Sequence, residues 1–237
     1  MFQGKTVLVV VPARGGSKGV KLKNIHPLAG KPLIAYTGDL IRTLDFVDRA
    51  VVSTDHPDIV AAAKRCGLEA PFTRPPELSG DRIGDTDVLR HALTEMEQLD
   101  KRRYDVVVML QPTCPLRTAA HVTDTVAKLV KENWDSVWTV TPTDLKFHPL
   151  KALTVEADGR MEYFDARGSG IIARQQLTPT YHRNGAVYAI TRNTLLEHNS
   201  TKGIRSAAVV ITDPLANIDS LDDFDKAELL IGKQGAR

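Results

Sequence analysis

Arg14, Lys18, Lys21 and Lys23 place four cationic side chains within ten residues, interleaved with Gly15, Gly16 and Gly19 and following the apolar run 7–11. Glycine lets backbone N–H groups approach a ligand closely, and cations beside them suit a polyanion, most simply phosphate. A tight turn with solvated lysines is the other reading of the same composition. Two phosphate-loop spacings fail here. Ser17 precedes Lys18 and Gly19 follows it, which is not the Gly-Lys-Ser/Thr ending of a Walker loop, and the three glycines do not fit GxGxxG. What remains is a strand-to-loop phosphate cradle of another kind, with lysines as mobile point charges and Arg14 as a bidentate clamp.

Such a loop needs a rigid element behind it. "TVLVVVP", "RAVVSTD", "DVVVMLQP" and "SVWTVTP" are runs rich in β-branched residues and read as strands buried on both faces. Helical periods lie between them at 32–44, 57–66, 86–99 and 119–131, with Pro32 suited to a first turn. Alternating strands and helices imply βαβ units and a mainly parallel sheet, in which ligands bind at the carboxyl ends of the strands. "PARGGSKG", "STD" and "QPTCPLR" all fall there. The stretch 145–183 breaks the rhythm with short alternating patches around an Asp158-Gly159 turn, and reads as a substrate lid or a dimerisation arm. "NGAVYAITR" and "SAAVVIT" resume strand character, and 221–230 reads as a closing helix.

The totals bound the function. A chain of 237 residues, 42% hydrophobic, can bury a sizeable core in one large domain. A formal net charge of +2 indicates neither disorder nor a surface that coats nucleic acid, so any basicity that matters is local. Cys66 and Cys114 lack metal-ligand or CxxC spacing and read as reduced thiols. The apolar runs are too short to span a bilayer and no signal peptide precedes the first strand, so the expectation is a cytoplasmic protein with no membrane partner.

"PARGGSKGVKLKNIHPLAGKPLIAYT" closely resembles the amino-terminal signature of the acylneuraminate cytidylyltransferases, also called CMP-sialic acid synthetases. Further similarities follow in order: "VVSTD" from Val51, "RPPEL" from Arg74, "MLQPTCPLR" from Met109, "ARQQL" from Ala173, "RNGAVY" from Arg183 and "NIDSLDDF" from Asn217. The resemblance implies an α/β, three-layer Rossmann-like nucleotidyltransferase fold in a single domain over 1–237, with a mainly parallel central sheet and an extended dimerisation arm at 145–183. It also implies CMP transfer from CTP to the anomeric hydroxyl of an acidic nonulosonate sugar, with release of pyrophosphate, in a homodimer. Mg²⁺ is the implied cofactor, with Mn²⁺ as a substitute.

The same resemblance distributes roles. Arg14, Lys18, Lys23 and Asp219 carry the reaction. Ala13, Arg14, Ser17, Lys18, Lys23, Asn24, Arg74, Gln111 and Thr113 hold CTP; Gln111, Arg174, Arg183, Asn184 and Tyr188 hold the sugar. Asp219 is the metal ligand, with Asn217 beside it where relatives commonly have a second aspartate. Several of these residues have structural readings too. Arg74 could be a surface arginine held by Glu77, Gln111 a turn former and Tyr188 a core aromatic, while Asp219 or Ser220 could cap the final helix. Three departures from the family pattern stand out: Asn217 itself, His182-Arg183 in place of Arg-Pro, and "SGDRIGDTD", where many sialate enzymes carry Asp-Thr and a serine pair. The acceptor is therefore open among sialate, its deaminated form, legionaminate and pseudaminate. Kdo or a sugar 1-phosphate as acceptor, and a nucleotide-binding homologue without chemistry, are the alternative functions.

Overall fold

The computed structural model describes residues 1–235. The chain runs through β1 (Val7–Pro12), a small ribbon of β2 (Pro27–Leu28) and β3 (Lys31–Pro32), α1 (Leu33–Ile41), β4 (Arg49–Ser53), α2 (Pro57–Arg65), α3 (Asp85–Asp100), β5 (Val106–Met109) and α4 (Ala119–Lys131). It continues with β6 (Ser136–Pro142), the hairpin of β7 (Leu153–Val155) and β8 (Met161–Tyr163), β9 (Tyr181–Thr191), α5 (Arg192–Leu196), β10 (Ser206–Val210) and α6 (Leu221–Gly235). Six strands form one sheet in the order β10-β6-β9-β5-β1-β4. Every pairing in it is parallel except those of β9, which runs against both β5 and β6.

The two-residue period of β1 explains the layers. Val7, Val9 and Val11 pack with Ile34, Ile59, Val122 and Val126, and so face α1, α2 and α4. Leu8 and Val10 pack with Leu89, Ala92, Leu93 and Leu195, and so face α3 and α5. All five valines and leucines of β1 are fully buried, as a central parallel strand requires. A third cluster lies off the end of the sheet, where α6 packs Phe224 and Ala227 against Val20, Leu28, Leu33 and Ile218. Val20 thus pins the glycine-rich loop to the last helix.

The structure corrects some boundaries. Pro32 stands before α1 in an extended conformation rather than in its first turn. The helix stops at Ile41, and Thr43 and Leu44 continue with i→i+3 bonds to Leu40 and Ile41. α6 runs on past 230. At the other end of the arm, β9 has already begun at Tyr181, where Tyr181, His182 and Arg183 pair with Pro142, Thr141 and Val140. Between Arg183 and Tyr188 the ladder with β6 breaks in a bulge, and the Asn184 side chain fills the gap. Its Oδ1 accepts from Thr139 Oγ1 at 2.7 Å and from the Ala186 N–H at 3.1 Å, and its Nδ2 donates to Thr141 Oγ1 at 3.1 Å.

The entrance to α6 is held from inside the helix. Asp223 accepts the N–H groups of Asp219 and Ser220 and the Ser220 hydroxyl, which holds its carboxyl down at about 2. Its pKa is lower in the folded than in the unfolded chain, so this stabilisation is complete above about pH 4 and is lost as pH falls through about 2. Asp223→Ala should cost about 1 kcal/mol at pH 7. Thermal melts of parent and variant should converge as the pH is lowered to 2.

Candidate active site

A cavity of about 540 Å³ opens at the carboxyl edge of the sheet, lined by the ends of β1 and β5, the glycine-rich loop, the loop before α3 and the segment before α6. Ten residues named from the sequence line it: Arg14, Ser17, Lys18, Lys23, Asn24, Arg74, Gln111, Thr113, Asn217 and Asp219. Lys21 is exposed and lies outside it. Ala13 is fully buried in the core, with its N–H on the Ser53 carbonyl, and does not line the cavity.

The loop gathers charge chiefly through side chains. The Gly15 N–H donates to Asp55 Oδ1 at 2.8 Å and the Ser17 N–H to the Gly15 carbonyl, so these two backbone donors are already satisfied. Gly15 and Gly19 are needed for close approach. A Cβ on Gly15 would stand 2.8 Å from the His56 ring, and one on Gly19 only 2.3 Å from the Asp219 carbonyl. Asn24 is buried and donates to the Arg14 carbonyl at 3.1 Å, bracing the loop.

Arg14, Lys18 and Lys23 each have a carboxylate partner. Arg14 and Lys18 both contact Asp81, at 3.0 and 2.8 Å, and Arg14 also donates to the Gly80 carbonyl. Lys18 and Arg14 hold the Asp81 carboxyl below its ordinary range. The Lys23 ammonium donates to Asp219 Oδ1 and to the Ile218 carbonyl, both at 2.8 Å. Asp219 therefore faces the glycine-rich loop, and the helix entrance is held by Asp223 instead.

Arg74 is buried rather than on the surface, and its partner is Ser53, through Nε to Oγ at 3.0 Å and Nη2 to the carbonyl. Burial lowers its guanidinium to about 10, which leaves it charged at neutral pH and aimed at the cavity wall. Arg117, a residue the sequence reading did not assign, is also buried. It donates to the carbonyls of Gln111, Cys114 and Ala186 and to Thr37 Oγ1. It clamps the loop that carries Gln111 and Thr113 onto β9 and α1. An arginine just past the strand-end motif "QPTCPL" was the available signal.

Gly185, at φ +72°, lies behind two amides of the cavity wall. A Cβ there would lie 3.2 Å from Gln111 Oε1 and 3.5 Å from Asn217 Oδ1. The remaining sugar candidates sit differently. Asn184 is engaged in the β9 bulge, and Tyr188 is buried edge-on to Trp138 with ring centroids 5.2 Å apart. Arg183 is exposed over the Trp138 ring, next to Asp85. Arg174 lies in the arm beside Asp144, away from the cavity. Asp81 and Asp85, from "SGDRIGDTD", also line the cavity.

The profile described as "Cytidylyltransferase" matches residues 8–234. The chain belongs to the cytidylyltransferase family. Among its relatives is the pseudaminic acid cytidylyltransferase of Campylobacter jejuni, 30% identical over 94% of this chain and 95% of that one. The CMP-N,N'-diacetyllegionaminic acid synthase of Legionella pneumophila is 32% identical over 82% of each. In fold, this cytidylyltransferase is similar to CMP:2-keto-3-deoxy-manno-octonic acid synthetase solved in complex with CTP, with a TM-score of 0.70, 20% identity, and coverage of 97% and 99%.

Asp81 holds two of the cytidylyltransferase's cavity-lining cations while offering no donor of its own. Asp81→Asn should free Arg14 and Lys18, tightening CTP binding about threefold at low salt, with the gain shrinking at high salt because these charges are exposed. Calorimetric titration with CTP at two ionic strengths measures it; weaker binding by the variant would make Asp81 a support for the two cations instead.

Proposed function

We propose that this cytidylyltransferase transfers CMP from CTP to the anomeric hydroxyl of an acidic nonulosonate sugar and releases pyrophosphate. The observation that carries the reading is the convergence of Arg14, Lys18, Lys23 and Arg74 on one cavity beside the polar floor of Gln111, Thr113 and Asn217. End-to-end similarity to relatives named for pseudaminic and legionaminic acids supports the acceptor class. An acceptor bearing its own phosphate is not favoured by those relatives.

In-line attack of the sugar oxygen on the α-phosphorus forms one P–O bond and breaks the bond to pyrophosphate. Negative charge grows on the departing oxygens, so fixed cations beside them stabilise the transition state more than the ground state. We assign that part to Lys18 and Lys23, with Arg14 anchoring the nucleotide. Lys23 suits it because its stem is largely buried and its ammonium is held in place by Ile218 and Asp219.

Mg²⁺ fits the donors present. Asp219 supplies a carboxylate and Asn217 an amide oxygen on the same wall, and the Lys23 ammonium already resting on Asp219 and the Ile218 carbonyl marks a place where oxygens hold positive charge. A hard dication bound by one or two protein oxygens, with phosphate and water completing its shell, accords with that set. When bound, it would neutralise triphosphate charge. We place this enzyme's work in the cytoplasm, where CTP is available; among the described residues no helix is long and apolar enough to cross a membrane.

The arm supports pairing of two subunits. Phe147, Val155, Met161, Phe164 and Ile172 are between 61% and 94% exposed there, a density of apolar surface that a second copy would cover. Arg174 would then serve the partner's cavity.

Pyrophosphate release from CTP and Mg²⁺ should occur with at least one of N-acetylneuraminate, its deaminated form, legionaminate and pseudaminate. Saturable CTP binding without release from any of them would overturn the reading. Lys23→Ala should lower kcat about a hundredfold with little change in sugar KM, and unchanged turnover would remove it from the mechanism. Asp219→Ala should abolish Mg²⁺-dependent turnover; parental rates at excess Mg²⁺ would leave it only a partner of Lys23. Sedimentation should give a dimer at assay concentration, and a monomer would refute the role of the arm.

A further inference from the structure

Arg117 is buried and lies outside the cavity wall, yet all three of its guanidinium nitrogens are engaged. Nε donates to the Cys114 carbonyl at 3.0 Å and Nη1 to the Ala186 carbonyl at 2.9 Å. Nη2 donates to the Gln111 carbonyl and, at 3.3 Å, to Thr37 Oγ1. Its partners are three carbonyls and one hydroxyl, so its work is done on the chain rather than on a substrate.

The turn after β5 explains the need for it. In "QPTCPLR" Pro112 and Pro115 have no N–H, so this stretch has few donors for its own carbonyls, and a buried carbonyl without a partner is costly. The Cys114 N–H reaches the Gln111 carbonyl at 3.3 Å. Arg117 supplies further donors, and in doing so ties the turn to Ala186 on β9 and to Thr37 on α1.

Two parts of the cavity wall hang on that turn. Gln111 and Thr113 belong to it and line the cavity directly. The Thr113 carbonyl also accepts the Ile218 N–H at 2.9 Å, and the Ile218 carbonyl accepts the Lys23 ammonium at 2.8 Å. The segment that carries Asn217 and Asp219 is thereby fixed to the same turn. On the other side Ala186 follows Gly185, where a Cβ would stand 3.2 Å from Gln111 Oε1 and 3.5 Å from Asn217 Oδ1. The backbone behind both amides is therefore held to the turn by the same guanidinium.

We propose that Arg117 is a positioning residue for nucleotidyl transfer: by locking the turn 111–114 to β9 it sets where Gln111, Thr113 and, through Ile218, Lys23 stand relative to one another. The inference rests on the CMP-transfer reading above. Arg14 and Lys18 are held separately, by Asp81, so their grip on a triphosphate does not pass through Arg117. In-line attack tolerates little displacement of the groups around it, so a shifted turn lowers turnover more than nucleotide affinity.

Arg117→Lys keeps the charge, but one ammonium cannot span carbonyls on two elements as a planar fork does. Arg117→Gln buries no charge and keeps an amide donor, and it carries the test if the Lys variant folds poorly. Well below its melting transition, each variant should show kcat for pyrophosphate release lowered about tenfold, with the calorimetric Kd for CTP within about threefold of the parent. Variants that melt lower yet turn over at the parental rate would make Arg117 a structural residue alone and overturn the proposal. Equal losses in kcat and CTP affinity would overturn it too, by placing the effect on nucleotide binding. A parent enzyme that binds CTP and releases no pyrophosphate with any acidic sugar would overturn the functional reading itself, and this proposal with it.

Discussion

Arg74 and Arg117 carry guanidinium groups withdrawn from water at the carboxyl edge of the sheet, and among the described residues neither has a carboxylate in contact. Burying a charge is unfavourable unless hydrogen bonds replace its hydration, and here backbone carbonyls do so: Ser53 for Arg74; Gln111, Cys114 and Ala186 for Arg117. Those carbonyls belong to the ends of β4 and β5 and to the bulge of β9. Arg117 therefore ties the segment after β5 to the bulge of β9, while Arg74 holds the end of β4 and keeps a fixed positive charge on the cavity wall. The cations of the glycine-rich loop stand in front of that background.

Local sequence carried the fold a long way, because β-branched runs ending in glycine, proline or aspartate have few alternatives to buried parallel strands. The order of β1, β4, β5 and β6 and the helices between them could be read in that manner. The direction of β9 could not, since an antiparallel strand buried on both faces has the same composition as a parallel one. Its bulge was equally hidden. Asn184 looks like a ligand-facing amide in "RNGAVY", and only the pairing with β6 shows that Thr139 and Thr141 take up its hydrogen bonds.

The cationic half of the site was legible for a related reason: four cations among three glycines declare themselves within one loop. What answers them did not, because Asp81 meets Arg14 and Lys18 across more than sixty positions of sequence. Carboxylates in "SGDRIGDTD" have no periodicity or spacing that assigns them to a wall. Their meaning comes from the turn that brings this loop over the end of β1.

The reversed direction of β9 has one more effect. In every other strand of the sheet the last residues meet the cavity edge, but in β9 the first residues do, so the arm that precedes it joins the sheet beside Arg183 and Gly185. The ladder of β9 with β5 covers only Tyr188–Thr191 and its ladder with β6 breaks between Arg183 and Tyr188, so the segment that meets the arm is paired on one side alone. The arm thus joins the sheet through the bulge that carries Asn184 and Gly185, and the path from the periphery of the molecule to the amides of Gln111 and Asn217 runs through a short irregular stretch rather than a continuous ladder.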